Sequence, residues 1–306
     1  MRCIDEGGRM NKYIAKSDRI RSTIFTIIFI VLCAAVMYSF LIVLGSSLSS
    51  QKDLKQYGFR AIPHALSLEA YKRIFSDLKT ILQAYGITIL TTVVGTALGV
   101  AFTASIGYVL SRDDYPYRRG LGFFCYFTML FSGGLVPTYM LVVNWLGLKN
   151  TVWAIILPGC VSVWNIMLMK SYFKSLPTSL IEAAKIDGLS EIGIFFKIVI
   201  PLSKPAIATI ALFFALAFWN QWYNSMLYTD TRELVSLQYM LMKIMKSLEF
   251  LNSDAARLGM VITDPNIPSQ NARMAMCIVA AGPILVVFPF FQKYFVKGIN
   301  VGAMKG

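Results

Sequence analysis

One histidine, His64, and five cysteines (Cys3, Cys33, Cys125, Cys160, Cys277) are all that the 306-residue chain offers soft metals. Neither a CxxC nor an HxxxH spacing occurs, so no metal site and no disulfide framework are expected. Four of the cysteines lie in or beside apolar runs, where a free thiol behaves as a small hydrophobe. The chain also lacks the GxxxxGK(S/T) phosphate loop, and with it the usual cradle for a nucleotide. No catalytic constellation surrounds His64, which argues against an intramembrane enzyme.

Charge is scarce as well. Asp, Glu, Lys and Arg make up 15% of residues, against about 25% in an ordinary soluble chain. Mean hydropathy is +0.60. Six stretches hold no charge: between Arg21 and Lys52, Lys79 and Arg112, Arg119 and Lys149, Lys149 and Lys170, Lys204 and Asp230, and Arg273 and Lys293. Each is about 19 to 32 residues long, and roughly 20 suffice for a helix to cross the hydrocarbon core. The runs do not alternate apolar and polar residues as barrel strands would. An all-α, polytopic membrane protein with six transmembrane helices is therefore expected, with spans near 22–46, 83–111, 120–143, 151–171, 206–228 and 274–293.

What charge there is sits between the spans. The net charge of +13 is explained by topology rather than by nucleic acid. With the N-terminus inside, the inner segments hold 17 Lys/Arg and the outer ones 12, and the short segments favour N-in and C-in. The expected organisation is a cytoplasmic segment 1–21, a six-helix domain 22–293 and a cytoplasmic tail 294–306. Long outer loops fall at 47–82 and 229–273, and a cytoplasmic loop at 172–205. The first apolar stretch is too long for a cleaved signal peptide and lacks a clear cleavage site, so it reads as an uncleaved first helix. Glu6-Gly7-Gly8-Arg9-Met10 is encodable by a purine-rich stretch of ribosome-binding type, which points to Met10 as a start of translation; mass spectrometry of the native N-terminus tests this.

Local signals refine the map. Ser67 is a candidate cap for a helix in the first outer loop, and Asp264-Pro265-Asn266 and Ile267-Pro268 mark turns in the second. Gly95 and Gly99 form a GxxxG pair, which allows close helix approach. Pro116 prevents helical continuation through the charged turn Arg112-Asp113-Asp114-Tyr115.

The loop between Lys170 and Pro205 is the most specific stretch. Ser179-Leu180-Ile181-Glu182 has capping-box spacing. A short helix is predicted through Ala183, Ala184, Lys185 and Ile186, and Gly188 supplies the left-handed residue that ends it. Ser190 is then placed to cap a second helix through Ile192, Ile194, Phe195, Ile198 and Val199 to Pro201. Alanines at 183 and 184 leave a smooth surface suited to a groove.

Glu182-Ala183-Ala184, then Asp187-Gly188, then Ile198-Val199-Ile200-Pro201 resembles the signature of ABC-importer permeases, with Ile200 where the family usually has Leu. The resemblance covers most of the chain. Val136-Pro137-Thr138-Tyr139, Leu146-Gly147-Leu148-Lys149-Asn150-Thr151, Trp219-Asn220 and the tail Gly298-x-x-x-Gly302-Ala303-x-Lys305-Gly306 are similar to carbohydrate-uptake permeases of the maltose-type inner-membrane kind. Phe131-Ser132-Gly133-Gly134-Leu135 is similar to a subgroup associated with oligosaccharides or uronate-rich polysaccharide fragments.

This resemblance implies the type I importer permease fold and a bacterial inner-membrane location. It implies that Glu182, Ala183, Ala184, Asp187, Gly188, Ile198 and Pro201 couple to a cytoplasmic ATPase dimer, which binds ATP and Mg. It also implies that Gly302 and Lys305 reach the ATPase, and that a second permease and an external sugar-binding protein complete the assembly. No cofactor is expected in the chain itself. Trp219, Asn220, Trp222 and Tyr223 are candidates for the sugar path, since aromatic faces and amides suit saccharide rings. Trp and Tyr also anchor helices at the membrane interface, so both readings stay open for Trp222 and Tyr223. A permease for another solute class is the main alternative. A secondary transporter is disfavoured because ion coupling calls for ionisable residues within the spans.

Overall fold

The computed structural model describes the backbone of residues 5–252 and 270–303, with side chains described over 21–246 and 270–286 and at Pro289. The turn signals at 264–268 and Lys305 lie outside the described residues. Among those described the chain is helical, with one isolated bridge between Ser49 and Leu66. This is the all-α architecture that the charge-free runs require.

The chain divides into two compact units. The first comprises residues 1–74 and 268–278. It holds α1 (Asp5–Ser47), α2 (Gln51–Tyr57) and α3 (Glu69–Ile74). From Ile24 to Leu32 and at Val36 and Met37, the large apolar side chains of α1 are about half or more exposed among the described residues. Ser50 caps α2 by accepting from Asp53 N. Ser67 Oγ accepts from Glu69 N at 3.3 Å, but the first helical bond runs from Lys72 N to the Leu68 carbonyl, so Leu68 holds the cap position and the cap expected at Ser67 falls one residue early. Asn271 donates through Nδ2 to the Ser49 carbonyl and holds the loop after α1.

The second unit comprises residues 75–267 and 279–306. It is built on α4 (Leu78–Ser111), whose small residues set how closely its partners approach. A Cβ at Gly95 would stand 2.6 Å from the Phe218 ring, and one at Gly99 would stand 2.8 Å from Phe214. Both phenylalanines are buried, so the GxxxG pair seats two aromatic rings. Past the turn at 112–117 follow α5 (Arg118–Leu130), α6 (Leu135–Met140, extended by a π turn through Trp145), α7 (Val152–Ile156) and α8 (Val163–Lys174).

The expected third span, 120–143, is not one helix. It breaks at Phe131–Gly134, and the two halves meet at 115°. Two consecutive glycines each cost a helix about 1 kcal/mol relative to Ala. Pro137 lacks an N–H and its ring opposes the carbonyl four residues back, at Gly133. Gly134 takes φ +85°. The fourth span bends by 50° between Val152–Gly159 and Val163–Lys174.

The loop helices are α9 (Thr178–Ile186), α10 (Glu191–Ile194, continued by a π turn to Val199) and α11 (Ile200–Leu202). They give way at Ser203 to α12 (Lys204–Trp219), with an 82° bend. Pro205 sits in the first turn of α12, where its missing N–H costs nothing. The expected fifth span, 206–228, also ends early. At Asn220 the side-chain Nδ2 donates to the Leu216 carbonyl at 2.9 Å, and α12 stops. This is the competition with backbone pairing that Asn brings to a helix. There follow α13 (Tyr223–Tyr228), α14 (Leu237–Asn252) and α15 (Gln270–Ala303), the last with Pro283 and Pro289 inside it.

Candidate coupling surface and translocation path

Pro177 precedes α9 in an extended conformation, and no side chain caps the helix. The capping box expected at Ser179–Glu182 is therefore not made. The helix begins at Thr178, two residues earlier than a Ser179 cap implies, which places Ser179 inside the first turn rather than at its cap. Glu182 is left exposed, without a capping role.

The end of α9 is as the sequence implies. Gly188 has φ +77°, Gly188 N donates to the Lys185 carbonyl, and Leu189 N donates to the Ala184 carbonyl, both at 3.0 Å. This is a Schellman turn, with Leu189 folded over Ala184. Ser190 Oγ then accepts from Gly193 N at 3.2 Å and caps α10.

The two alanines face opposite ways. Ala184 is buried in the core with Tyr108, Phe173, Ile194 and Val199, while Ala183 is exposed beside Glu182, Asp187 and Gly188. Ile198 is half-buried and Pro201 exposed. Around the Gly188 turn the chain presents Ile186 at 86% exposure, Ile192 at 72% and Phe196 at 63%. Sequence reasoning missed these three as surface residues, because an amphipathic period assigns such side chains to a core. Two short helices folded over one glycine have an inner face that Ala184, Ile194 and Val199 already fill.

It also missed the charges that hold the loop. Lys185 Nζ donates to Asp114 Oδ2 at 2.6 Å and lies 2.9 Å from Glu191 Oε1. Arg112 Nη2 donates to the same two carboxylates at 2.7 and 3.3 Å. Tyr108 Oη donates to Glu191 Oε2 at 2.9 Å. Arg118 and Lys174 both pair with Asp113.

The electrostatics follow from these contacts. The Lys185 hydrogen bond, aided by Arg112 and opposed by partial burial, holds the Asp114 carboxyl down at about 2. Burial pushes the Glu191 carboxyl up, but Lys185, Tyr108 and Arg112 together hold it below its ordinary value. Asp114 and then Glu191 raise Lys185. The available signal was the pair Asp113-Asp114 in a short turn between two charge-free runs.

The candidate path residues separate. Trp219 is buried, and its indole N–H donates to the Ala280 carbonyl at 3.1 Å. It borders a cavity of about 640 Å³ between α4, α12 and α15, with Tyr85, Thr92, Thr96 and Pro283. Tyr85 Oη likewise donates to a backbone carbonyl, that of Val279, at 2.6 Å. The aromatic donors at this cavity are thus committed to the protein. Asn220 and Tyr223 are exposed, whereas Trp222 is half-buried and packs edge-on against Tyr223. These residues do not share one helix, since the chain breaks between Trp219 and Tyr223. Gly302 stands in α15.

At one end of the fourth span, Gly147 and Asn150 take φ +61° and +59°. Asn150 N donates to the Tyr228 carbonyl and its Oδ1 accepts from Asp230 N. Lys149 pairs with Asp230 at 2.8 Å. Two left-handed residues within Leu146–Thr151 thus shape a loop that clasps the chain after Tyr228.

The family model for the binding-protein-dependent transport system inner membrane component matches residues 13–223. The chain belongs to this family. Members are transport permeases rather than enzymes. Protein LplC of Bacillus subtilis is 40% identical, over 89% of this chain and 90% of its own length. The polygalacturonan/rhamnogalacturonan transport system permease YtcP of the same organism is 39% identical, over 92% and 96%. A solved bacterial ABC transporter involved in import of the acidic polysaccharide alginate superposes with a TM-score of 0.77 at 31% identity. It covers 91% of this chain and 98% of the matched one. Membership of this inner-membrane family accounts for the long apolar helices and the bent apolar helix pairs among the described residues.

Proposed function

We propose that this chain is one of two homologous permease subunits of an ATP-driven importer, forming half of the path for an oligosaccharide or polysaccharide fragment rich in uronates. The observation that carries the reading is the loop at 178–202. Ile186, Ile192 and Phe196 are exposed around the Gly188 turn, with Glu182, Ala183 and Asp187 beside them. Exposed apolar side chains of this size at a protein–water surface fit a partner's groove. The partner is a dimer of cytoplasmic ATPases that holds ATP and Mg; an external binding protein delivers the solute.

Closure of the ATPases pulls on α9 and α10 and rocks the helices behind them between inward- and outward-open states. Pro201 and Ile198 carry that motion toward α12, and the tail with Gly302 and Lys305 meets the ATPases. The acidic character of the cargo is supported by two relatives, one named for polygalacturonan and one for alginate. Of the four candidate path residues, Asn220 and Tyr223 are the exposed ones, which supports placing them along the path.

The test is reconstitution with the partner permease, ATPases and binding protein, supplied with oligogalacturonides or, for comparison, neutral maltodextrins. Uptake and solute-stimulated ATPase activity are expected with the acidic fragments. Gly188→Pro or Glu182→Lys is expected to uncouple hydrolysis from uptake while leaving membrane insertion intact. Unchanged uptake and ATPase activity in both variants would remove the coupling role.

A further inference from the structure

Asp114, Lys185, Glu191 and Arg112 close a ring of alternating charge. Each of its four sides is an ion pair: 2.6 Å from Lys185 to Asp114, 2.9 Å from Lys185 to Glu191, 3.3 Å from Arg112 to Glu191 and 2.7 Å from Arg112 to Asp114. Its members come from three elements. Arg112 and Asp114 follow the end of α4, Lys185 is in the last turn of α9, and Glu191 is the first residue of α10. Lys185 and Glu191 stand three residues before and three after Gly188, so the ring straddles the left-handed turn that joins the two loop helices.

The ring is also anchored from below. Tyr108 Oη donates to Glu191, the Arg112 guanidinium lies 5.9 Å from the centre of the Tyr108 ring, and the Arg112 side chain is only 13% exposed. A long cation held on that many sides is a rigid strut rather than a floppy surface charge.

We propose that the Arg112–Asp114 turn is a positioning arm of the coupling loop. Through Lys185 and Glu191 it locks α9 and α10 to the cytoplasmic end of α4, so that displacement of the loop moves α4 instead of being absorbed at Gly188. This rests on the coupling function proposed for the loop. The α4 helix is the lever such an arm would need. It carries Gly95 and Gly99 against Phe218 and Phe214 of α12, and Tyr85 and Trp219 border the cavity between α4, α12 and α15. Beside the ring, the loop meets the spans through apolar packing around Ala184 and Ile194, the Tyr172–Leu202 hydrogen bond and the chain itself where α11 passes into α12; of these the ring is the charged link to the end of α4.

The test uses the reconstituted complex and reads solute taken up per ATP hydrolysed, together with recovery of the assembled complex. Asp114→Asn and Glu191→Gln are each expected to lower that ratio at least about fivefold, the lower end of a typical coupling effect. Solute-independent hydrolysis and assembly should persist, and Asp114→Glu should restore much of the ratio. A purely structural role would instead reduce assembled complex and leave the ratio per complex alone.

A second variant avoids charge loss. Asp114→Cys with Lys185→Cys, joined by a short bifunctional maleimide, is expected to keep the ratio, because the two elements travel together; single-cysteine variants serve as controls. A wild-type ratio in Asp114→Asn and Glu191→Gln, or arrest of uptake by the cross-link, would overturn the proposal. Where Gly188→Pro uncouples but Asp114→Asn does not, this inference alone fails; where neither does, the coupling reading of the loop fails.

Discussion

Gly99 and Gly188 are both glycines for physical reasons, but of different kinds. At Gly188 the backbone demands a left-handed residue to close the Schellman turn, which the pattern Ala-Lys-Ile-Asp-Gly-Leu-Ser announces. At Gly99 the backbone is ordinary helix, and the requirement comes from Phe214 on another helix. The GxxxG spacing told us that something would approach closely but not which ring would do so. Gly99→Ala is expected to destabilise by about 1–3 kcal/mol, the usual effect of overpacking, and Phe214→Leu in the same chain should recover part of it. Thermal unfolding of the detergent-solubilised protein checks both; an unshifted midpoint in Gly99→Ala would show that the ring yields freely. Asn150 is a third case. Its φ of +59° is one that Asn tolerates better than most residues, and its amide oxygen is used at Asp230.

Among elements, the loop helices and the bent spans were legible to different degrees. The composition of 131–137, two glycines and a proline within seven residues, contains its own break. The expectation of one straight span came from weighing charge alone. The end of α12 at Asn220 depended on a single side chain choosing its own backbone, which no periodicity reveals. The ring of Arg112, Asp114, Lys185 and Glu191 was invisible because its partners are about 70 to 80 residues apart, and each residue taken singly reads as an ordinary solvated charge.

Its titration gives a prediction for the element. Asp114 and Glu191 are lowered on folding, so their contribution is present above the ordinary carboxylate range and is lost as pH falls through the depressed values. Lys185 is raised, so its contribution is present below the ordinary lysine value and is lost only as pH rises beyond it. Uptake per ATP is therefore expected to stay level between about pH 5 and pH 9 on the ATPase side of reconstituted vesicles. A sigmoidal fall centred inside that window would contradict the ring as drawn.

For the whole molecule, the variable that matters is orientation. The Lys/Arg bias and the coupling role proposed for the loop both favour termini in the cytoplasm. An enzymatic reporter that folds only in the cytoplasm, fused after Gly306, is expected to be active, and one fused near residue 252 inactive; the reverse pattern would invert the topology and move the coupling loop to the wrong side.

The sequence by itself determined the class. Charge-free runs of span length need no partner to be read, because the cost of burying charge in hydrocarbon acts on each segment locally. The Gly188 turn and the Ser190 cap were likewise decided within a few neighbouring residues. Only the tertiary structure decided which faces those helices show. It turned Ala184 inward and Ile186 outward, committed Trp219 to the Ala280 carbonyl, and joined a turn at 112–114 to a loop at 185–191. Those outcomes are settled by contacts between residues distant in the chain, where packing and pairing outweigh local preference.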